Sequence, residues 1–359
     1  MGTRGGNSAE RLLWTMIGVV LAAFVGVALR SYVGALVSAI FLYYATRPIY
    51  RRIEARTAHP TLAVVLTLLA LVVPMLIVIG YGLALLVQEL DSVLSGGALS
   101  TLQPYVQPYL DLIQRGELRQ LRQTVSQAGG VPGSAGSAAG SVLSRLVAAI
   151  GAVFAVLTRV ALMLILLFYL LRDGHKLRSW FVSAVEYDDR IVSFVDGVDA
   201  DLETVFFNNL AFIVFTAVQA SLIYLGFNLL APGSAVVGTP VLLGALIGIG
   251  TLVPVVGMKL VYLPYAAYLG AAAVVGSTPA WHPIAFLAVS GVVVDTIPDI
   301  VIRPYLSGRN TLHIGLVMLG YFLGALTFGW WGLFFGPIVV VAAVHFAEDI
   351  FPWLVGEYL

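Results

Sequence analysis

The chain contains no cysteine and few charges. Without thiols there is no disulfide, no thiolate metal site and no cysteine nucleophile. Charged residues are 11 % of the 359, less than half the ~25 % of a soluble domain. That is too little polar surface to cover a water-soluble globule of this size, and a 60 % hydrophobic content excludes disorder too. Neither sign of charge prevails. Lys+Arg and Asp+Glu are 19 each, so no basic excess draws the chain to nucleic acid. Lysine itself is scarce, with Lys176 and Lys259 alone. The sequence lacks Gly-x-x-x-x-Gly-Lys-Ser/Thr, His-Glu-x-x-His and Gly-x-Ser-x-Gly, and its histidines (59, 175, 282, 313, 345) are scattered. Neither an enzyme nor a resident metal or cofactor is expected. No internal repeat stands out.

What the chain has is long apolar runs, and a mean hydropathy of +0.96. Candidate spans are 12–29, 31–46, 60–88, 142–171, 205–230, 240–257, 259–275, 283–302, 312–328 and 331–350. A helix needs roughly 20 apolar residues to cross a bilayer, and these runs are too uniform for the alternation of a membrane barrel. The expected fold is an all-α polytopic integral membrane protein with 8–10 transmembrane or re-entrant helices. The pairs 240–257/259–275 and 312–328/331–350 have such short connections that either can be a re-entrant hairpin. The first run, 12–29, lacks a following small-residue cleavage site and reads as a retained span.

Positive charges orient the bundle. With the N-terminus inside, the inner segments hold Arg4, Arg11, Arg47, Arg51, Arg52, Arg56, Arg172, Lys176, Arg178, Arg190, Lys259, Arg303 and Arg309. The outer segments hold Arg30, Arg115, Arg119, Arg122 and Arg145, and Arg159 falls within a span. This predicts both termini inside. The expected divisions are N-terminal helices 1–88, an extracytoplasmic amphipathic segment with a flexible linker 89–141, a long span 142–171, a cytoplasmic amphipathic segment 172–204 and a C-terminal bundle 205–359 with broken or re-entrant helices. The 89–141 unit carries a stripe of Leu102, Tyr105, Val106, Tyr109, Leu112 and Ile113 before the glycine-rich stretch 129–137.

Intramembrane polar residues are the candidate site. Asp295, Asp299 and Arg303 recur at four-residue steps, so one helical stripe carries all three. A carboxylate at a helix centre costs ~2.5–3.5 kcal/mol on insertion scales and usually faces a bundle interior or a wet cavity. The three form a candidate ion or solute pathway. The structural alternative, preferred for Asp299, is an ion pair with Arg303; Asp295 has no obvious local partner in the sequence. A second candidate is Gly244–Gly257, where Gly250, Thr251, Pro254 and Gly257 suggest a broken helix with freed carbonyls, or else close packing through small residues. Asn208, Asn209 and Gln219 are weaker candidates that more often make interhelical hydrogen bonds.

A family resemblance emerges from ordered motifs. Asp299-x-x-x-Arg303-Pro304, Leu306-Ser307-Gly308, Leu312-His313 and Gly329-x-x-Gly332-x-x-x-Gly336-Pro337 follow one another. Thr46-Arg47-Pro48 with Arg51-Arg52, Leu170-Leu171-Arg172-Asp173-Gly174 and Leu252-Val253-Pro254-Val255-Val256-Gly257 precede them. The set resembles the autoinducer-2 exporter-like permease family over nearly the whole chain. Two departures are Val255, where the family usually has an aromatic residue, and Asn208-Asn209 in place of its usual Gly-Gln. The resemblance implies a multi-pass permease of a prokaryotic plasma membrane, homo-oligomeric in the lipid bilayer. Its cargo would be a small polar solute such as an autoinducer-2-like signal, moved by a gradient or by facilitated flow. Members of the family that exchange Na⁺ for H⁺ make a sodium/proton antiporter the alternative. A non-transporting scaffold, binding partners through 100–128 and 175–203, is the reading from another class.

Overall fold

The computed structural model describes residues 6–57, 59–95, 134–185, 188–233, 235–254, 256–302, 305 and 313–356. Arg303, the Leu102–Ile113 stripe and most of the glycine-rich linker lie outside the described residues. All regular structure among the described residues is helical.

Helix α1 (Gly6–Leu29) passes through a 3₁₀ turn at Arg30–Tyr32 into α2 (Val33–Glu54). Next come α3 (Pro60–Ser95), α4 (Ser134–Ala184) and α5 (Asp189–Leu230). The C-terminal part holds α6 (Pro240–Gly250), α7 (Gly257–Val274) and α8 (Trp281–Ala288). Helix α8 continues as π-helix over Val289–Thr296 and Pro298–Ile302. Helix α9 (Ile314–Phe328) turns at Gly329, whose φ is +72°, into α10 (Gly332–His345). A π-helical turn (Phe346–Ile350) then leads into α11 (Phe351–Gly356).

Among the described residues, five stretches are long and apolar enough to cross a membrane: 60–82, 154–184, 189–230, 281–302 and 315–356, the last folded back at Gly329. Their outward side chains are apolar and exposed, as on α5 at Val214, Val218 and Leu222, which suits a hydrocarbon solvent. Helix α5 has 42 residues, about 63 Å, so it projects well beyond a ~30 Å hydrocarbon core. The charged 172–204 segment is the projecting end of α4 and the start of α5. Asp188 caps α5 by accepting from the backbone N–H of Arg190 (3.0 Å) and Ile191 (3.3 Å).

The chain divides into two compact units, 71–161 and the remainder. The smaller unit comprises the later part of α3 and the earlier part of α4. The larger has two apolar clusters. One centres on Tyr224, Ile247, Met258, Phe286 and Val294, where α5–α8 meet. The other joins α2, α5, α9 and α10 through Phe41, Phe206, Tyr321 and Phe334, with the Phe41 and Phe334 rings stacked 4.3 Å apart.

Glycines set how closely neighbouring helices approach. A Cβ on Gly248 would lie 2.5 Å from Ala217 Cβ and 2.7 Å from the Ile213 carbonyl oxygen, so α6 lies directly against α5. A Cβ on Gly324 would overlap the Gly332 carbonyl oxygen, and one on Gly336 that of Gly320, which closes the α9–α10 hairpin. Gly244 and Gly248 thus pack directly on α5. The helix itself ends at Gly250. Helix α6 has 11 residues, about 16 Å, and stops short of crossing. It reaches only the level of Ile213, about 15 Å along α5 from Glu203, before the chain turns through Thr251–Val256.

Candidate functional site

The turn between α6 and α7 delivers a cation into the apolar stretch. Lys259 lies in the first turn of α7, and its Nζ is 2.7 Å from Asp295 Oδ2. The same oxygen accepts a 3.0 Å hydrogen bond from the Tyr262 hydroxyl, one helical turn further along α7. Asp295 is buried at 5 % exposure, whereas the Lys259 side chain keeps 40 %. A buried carboxylate needs such a partner, because an uncompensated ion in a low-dielectric interior costs several kcal/mol. Charge counting along the chain puts Lys259 in a connecting segment and leaves Asp295 without a partner. Folding supplies the pair from two different helices.

Asp295 sits on the π-helical continuation of α8, and π segments frequently occur at functional sites. A sequence feature accounts for part of this geometry. In an i→i+5 ladder the Val293 carbonyl would accept from residue 298, but Pro298 has no N–H. Gln219 of α5 fills the gap, its Nε2 donating to the Val293 carbonyl at 3.0 Å. Gln219 thus supports the helix that carries Asp295. Its own Oε1 is buried without a partner among the described residues, as is the Thr216 hydroxyl one turn away. Next along the seam, Tyr224 and Ser290 share a 2.9 Å hydrogen bond. The α5–α8 contact is therefore a buried polar line within an apolar bundle.

The other described candidates lie on neighbouring turns and helices. Asp299 is half-buried on the next π turn. Asn209 donates to the Tyr321 hydroxyl at 3.0 Å, tying α5 to α9, and Asn208 is half-buried beside it. Thr251 returns its hydroxyl to the Gly248 carbonyl at 2.6 Å, Pro254 is buried, and Gly250 and Gly257 meet backbone to backbone. These positions shape the turn that aims Lys259.

Arg47 forms a second charged group. It reaches Asp199 at 2.6 Å and Glu203 at 3.1 Å, and Arg51 reaches Glu203 at 3.0 Å, so α2 is clamped to the projecting end of α5. Burial alone would lower the Arg47 pKa, but its hydrogen bond to Asp199 and the surrounding negative charge hold it above the ordinary value. Burial, and then hydrogen bonding to Glu54, raise the Tyr50 hydroxyl. A cavity of about 420 Å³ opens here among Tyr43, Tyr44, Arg47, Arg51, His175, Arg178 and Asp199. Its cations and carboxylates are largely paired with one another, Arg178 bridging Asp196 at 2.7 Å. No metal-binding cluster occurs among the described residues.

Motif reasoning picks out Arg47 and Arg51 but not their partners Asp199 and Glu203, and it does not single out Lys259 or Tyr262. Lys259 has one legible signal, a solitary lysine between two apolar runs. Tyr262 has none, because any aromatic residue in an apolar helix reads as packing.

Two relatives carry names that point to transport. A protein of Methanocaldococcus jannaschii, provisionally named a transport protein, is 27 % identical over 192 residues, 52 % of this chain and 53 % of its own length. An Archaeoglobus fulgidus protein with the same provisional name is 26 % identical over 181 residues, 49 % of each chain. This chain thus spans about half the length of these relatives. The profile described as AI-2E family transporter matches residues 12–351, nearly the whole sequence, and the protein belongs to that family.

Proposed function

We propose that the protein is a gradient-driven permease for a small, uncharged, polar solute, and that Lys259, Asp295 and Tyr262 form its coupling site. The observation that carries this reading is the Lys259–Asp295 pair, held inside an apolar bundle beside a helix that ends partway across. The pair is neutral overall and combines an acceptor, an ammonium donor and a phenol. That set matches a hydroxyl-rich metabolite of the autoinducer-2 type better than an ion of fixed charge. Protonation of Asp295 would release Lys259, whose partial exposure gives it room to turn away. The plasma membrane of a prokaryote is the setting this reading requires.

One feature favours the sodium/proton antiporter as the second reading. A carboxylate neutralised by a lysine can exchange that ammonium for Na⁺, so the same pair would alternate between ion and proton.

The test is flux in proteoliposomes containing a pH-sensitive dye, with an imposed pH gradient and addition of Na⁺ or candidate hydroxylated solutes. Solute-dependent proton movement that is lost in Asp295→Asn and in Lys259→Met supports the permease. A sodium-dependent signal alone selects the antiporter. Undiminished flux in both variants refutes the site.

A further inference from the structure

Helix α8 and its π continuation bury one face along their length. His282, Phe286 and Ser290 follow at four-residue steps and Asp295 comes one π turn later, all at most 5 % exposed. Ser290 is bonded to Tyr224, and Asp295 to Lys259 and Tyr262. His282 differs. It is 1 % exposed, and neither ring nitrogen has a hydrogen-bond partner among the described residues. The Thr278 hydroxyl, also buried, has none there either. It stands just before the turn that the backbone N–H of His282 closes on the Pro279 carbonyl at 3.1 Å. The Trp281 ring packs edge-on against the imidazole at 4.4 Å. Phe286, stacked on Tyr224 at 5.5 Å and 5.0 Å from Tyr265, fills the face between His282 and Ser290.

Most buried side-chain polar atoms are bonded to protein or to an ordered molecule. An apolar residue of similar size carries no such requirement, so an imidazole here is costly unless something binds it. A neutral imidazole has one donor and one acceptor, on separate edges of the ring. A cation answers the lone pair alone, and an anion the N–H alone. A hydroxyl group answers either, and a molecule with several can answer both together with the Thr278 hydroxyl. We propose that His282 and Thr278 form a second, buried subsite for a polyhydroxylated solute, with water in its place when no solute is bound. It lies about 20 Å from Asp295 along the same helix face. A solute whose hydroxyls suit the Lys259–Asp295–Tyr262 set carries the same groups to this one. As a station on a transport path the subsite rests on the permease reading; as a binding site it does not.

Labelling with ¹⁵N-histidine marks five imidazoles, and the signal missing from His282→Phe identifies this one. In proteoliposomes, solid-state NMR should show proton polarisation passing from water to the His282 ring nitrogens. Saturating ¹³C-labelled ribose, xylitol or glycerol should cut that transfer about twofold or more for at least one of the three, with a new ¹³C–¹⁵N contact to the ring. Thr278→Val, which removes the hydroxyl and keeps the side chain's shape, should weaken the apparent affinity for that polyol about tenfold. A His282 ring that receives polarisation from neither water nor polyol overturns the proposal. So does water transfer that all three polyols leave unchanged, which would make the site an internal water alone. Flux in the same proteoliposomes separates the two readings. Ring contact without flux retains the subsite and refutes the permease, whereas flux without ring contact retains the permease and refutes the subsite.

Discussion

Cutting the Lys259–Asp295 pair from either side should have unequal consequences. At 2.7 Å and an effective dielectric of about 20, two unit charges attract by ~6 kcal/mol before desolvation. Lys259 is 40 % exposed, so solvent screening and the cost of burying the carboxylate reduce the net coupling to roughly 1–3 kcal/mol. Lys259→Met leaves Asp295 buried with Tyr262 as its partner, an expected loss of about 3 kcal/mol. Asp295→Asn keeps an acceptor for Tyr262 and leaves a lysine that can extend toward its exposed side, an expected loss of about 1 kcal/mol. In the double variant no buried charge remains, so the loss should stay near about 1 kcal/mol. At roughly 2 °C per kcal/mol for a chain of this size, Tm in detergent should fall by about 6, 2 and 2 °C respectively. Equal losses in the single variants, or an additive loss of about 8 °C in the double, would refute the claim that Asp295 is the costly buried charge.

Gln219→Leu should destabilise by about 1–3 kcal/mol by leaving the Val293 carbonyl unbonded. Adding Pro298→Ala, which restores an N–H at residue 298, should recover most of that loss in the same melting assay. Gly324→Ala should cost about 3 kcal/mol or more, because the new methyl overlaps the Gly332 carbonyl and the α9–α10 hairpin cannot close. The readout is loss of monodisperse protein on size-exclusion chromatography, with Gly18→Ala, where a Cβ meets nothing within 4 Å, behaving as wild type.

Composition and pattern determine a good deal here. A chain with 11 % charged residues and repeated apolar runs has only the bilayer as a compatible solvent, and in that solvent the backbone must bond to itself as helix. The motif order from Thr46-Arg47-Pro48 to Gly336-Pro337 makes the family legible without coordinates. Asp295 also stands out, because a carboxylate in an apolar run is costly wherever it lies. Tertiary structure decides what such a residue touches. Asp295 pairs with Lys259 and Tyr262 of another helix, and no local spacing encodes that distance. The π register depends jointly on Pro298 and on a glutamine about 80 residues earlier in the chain. Helix α6 ends at Gly250 because a close backbone approach to Gly257 closes the turn, although hydropathy continues across it. Local chemistry thus selects the solvent, the helices and the expensive residues. Pairing, depth and register are properties of contacts between helices, and those exist only once the bundle has assembled.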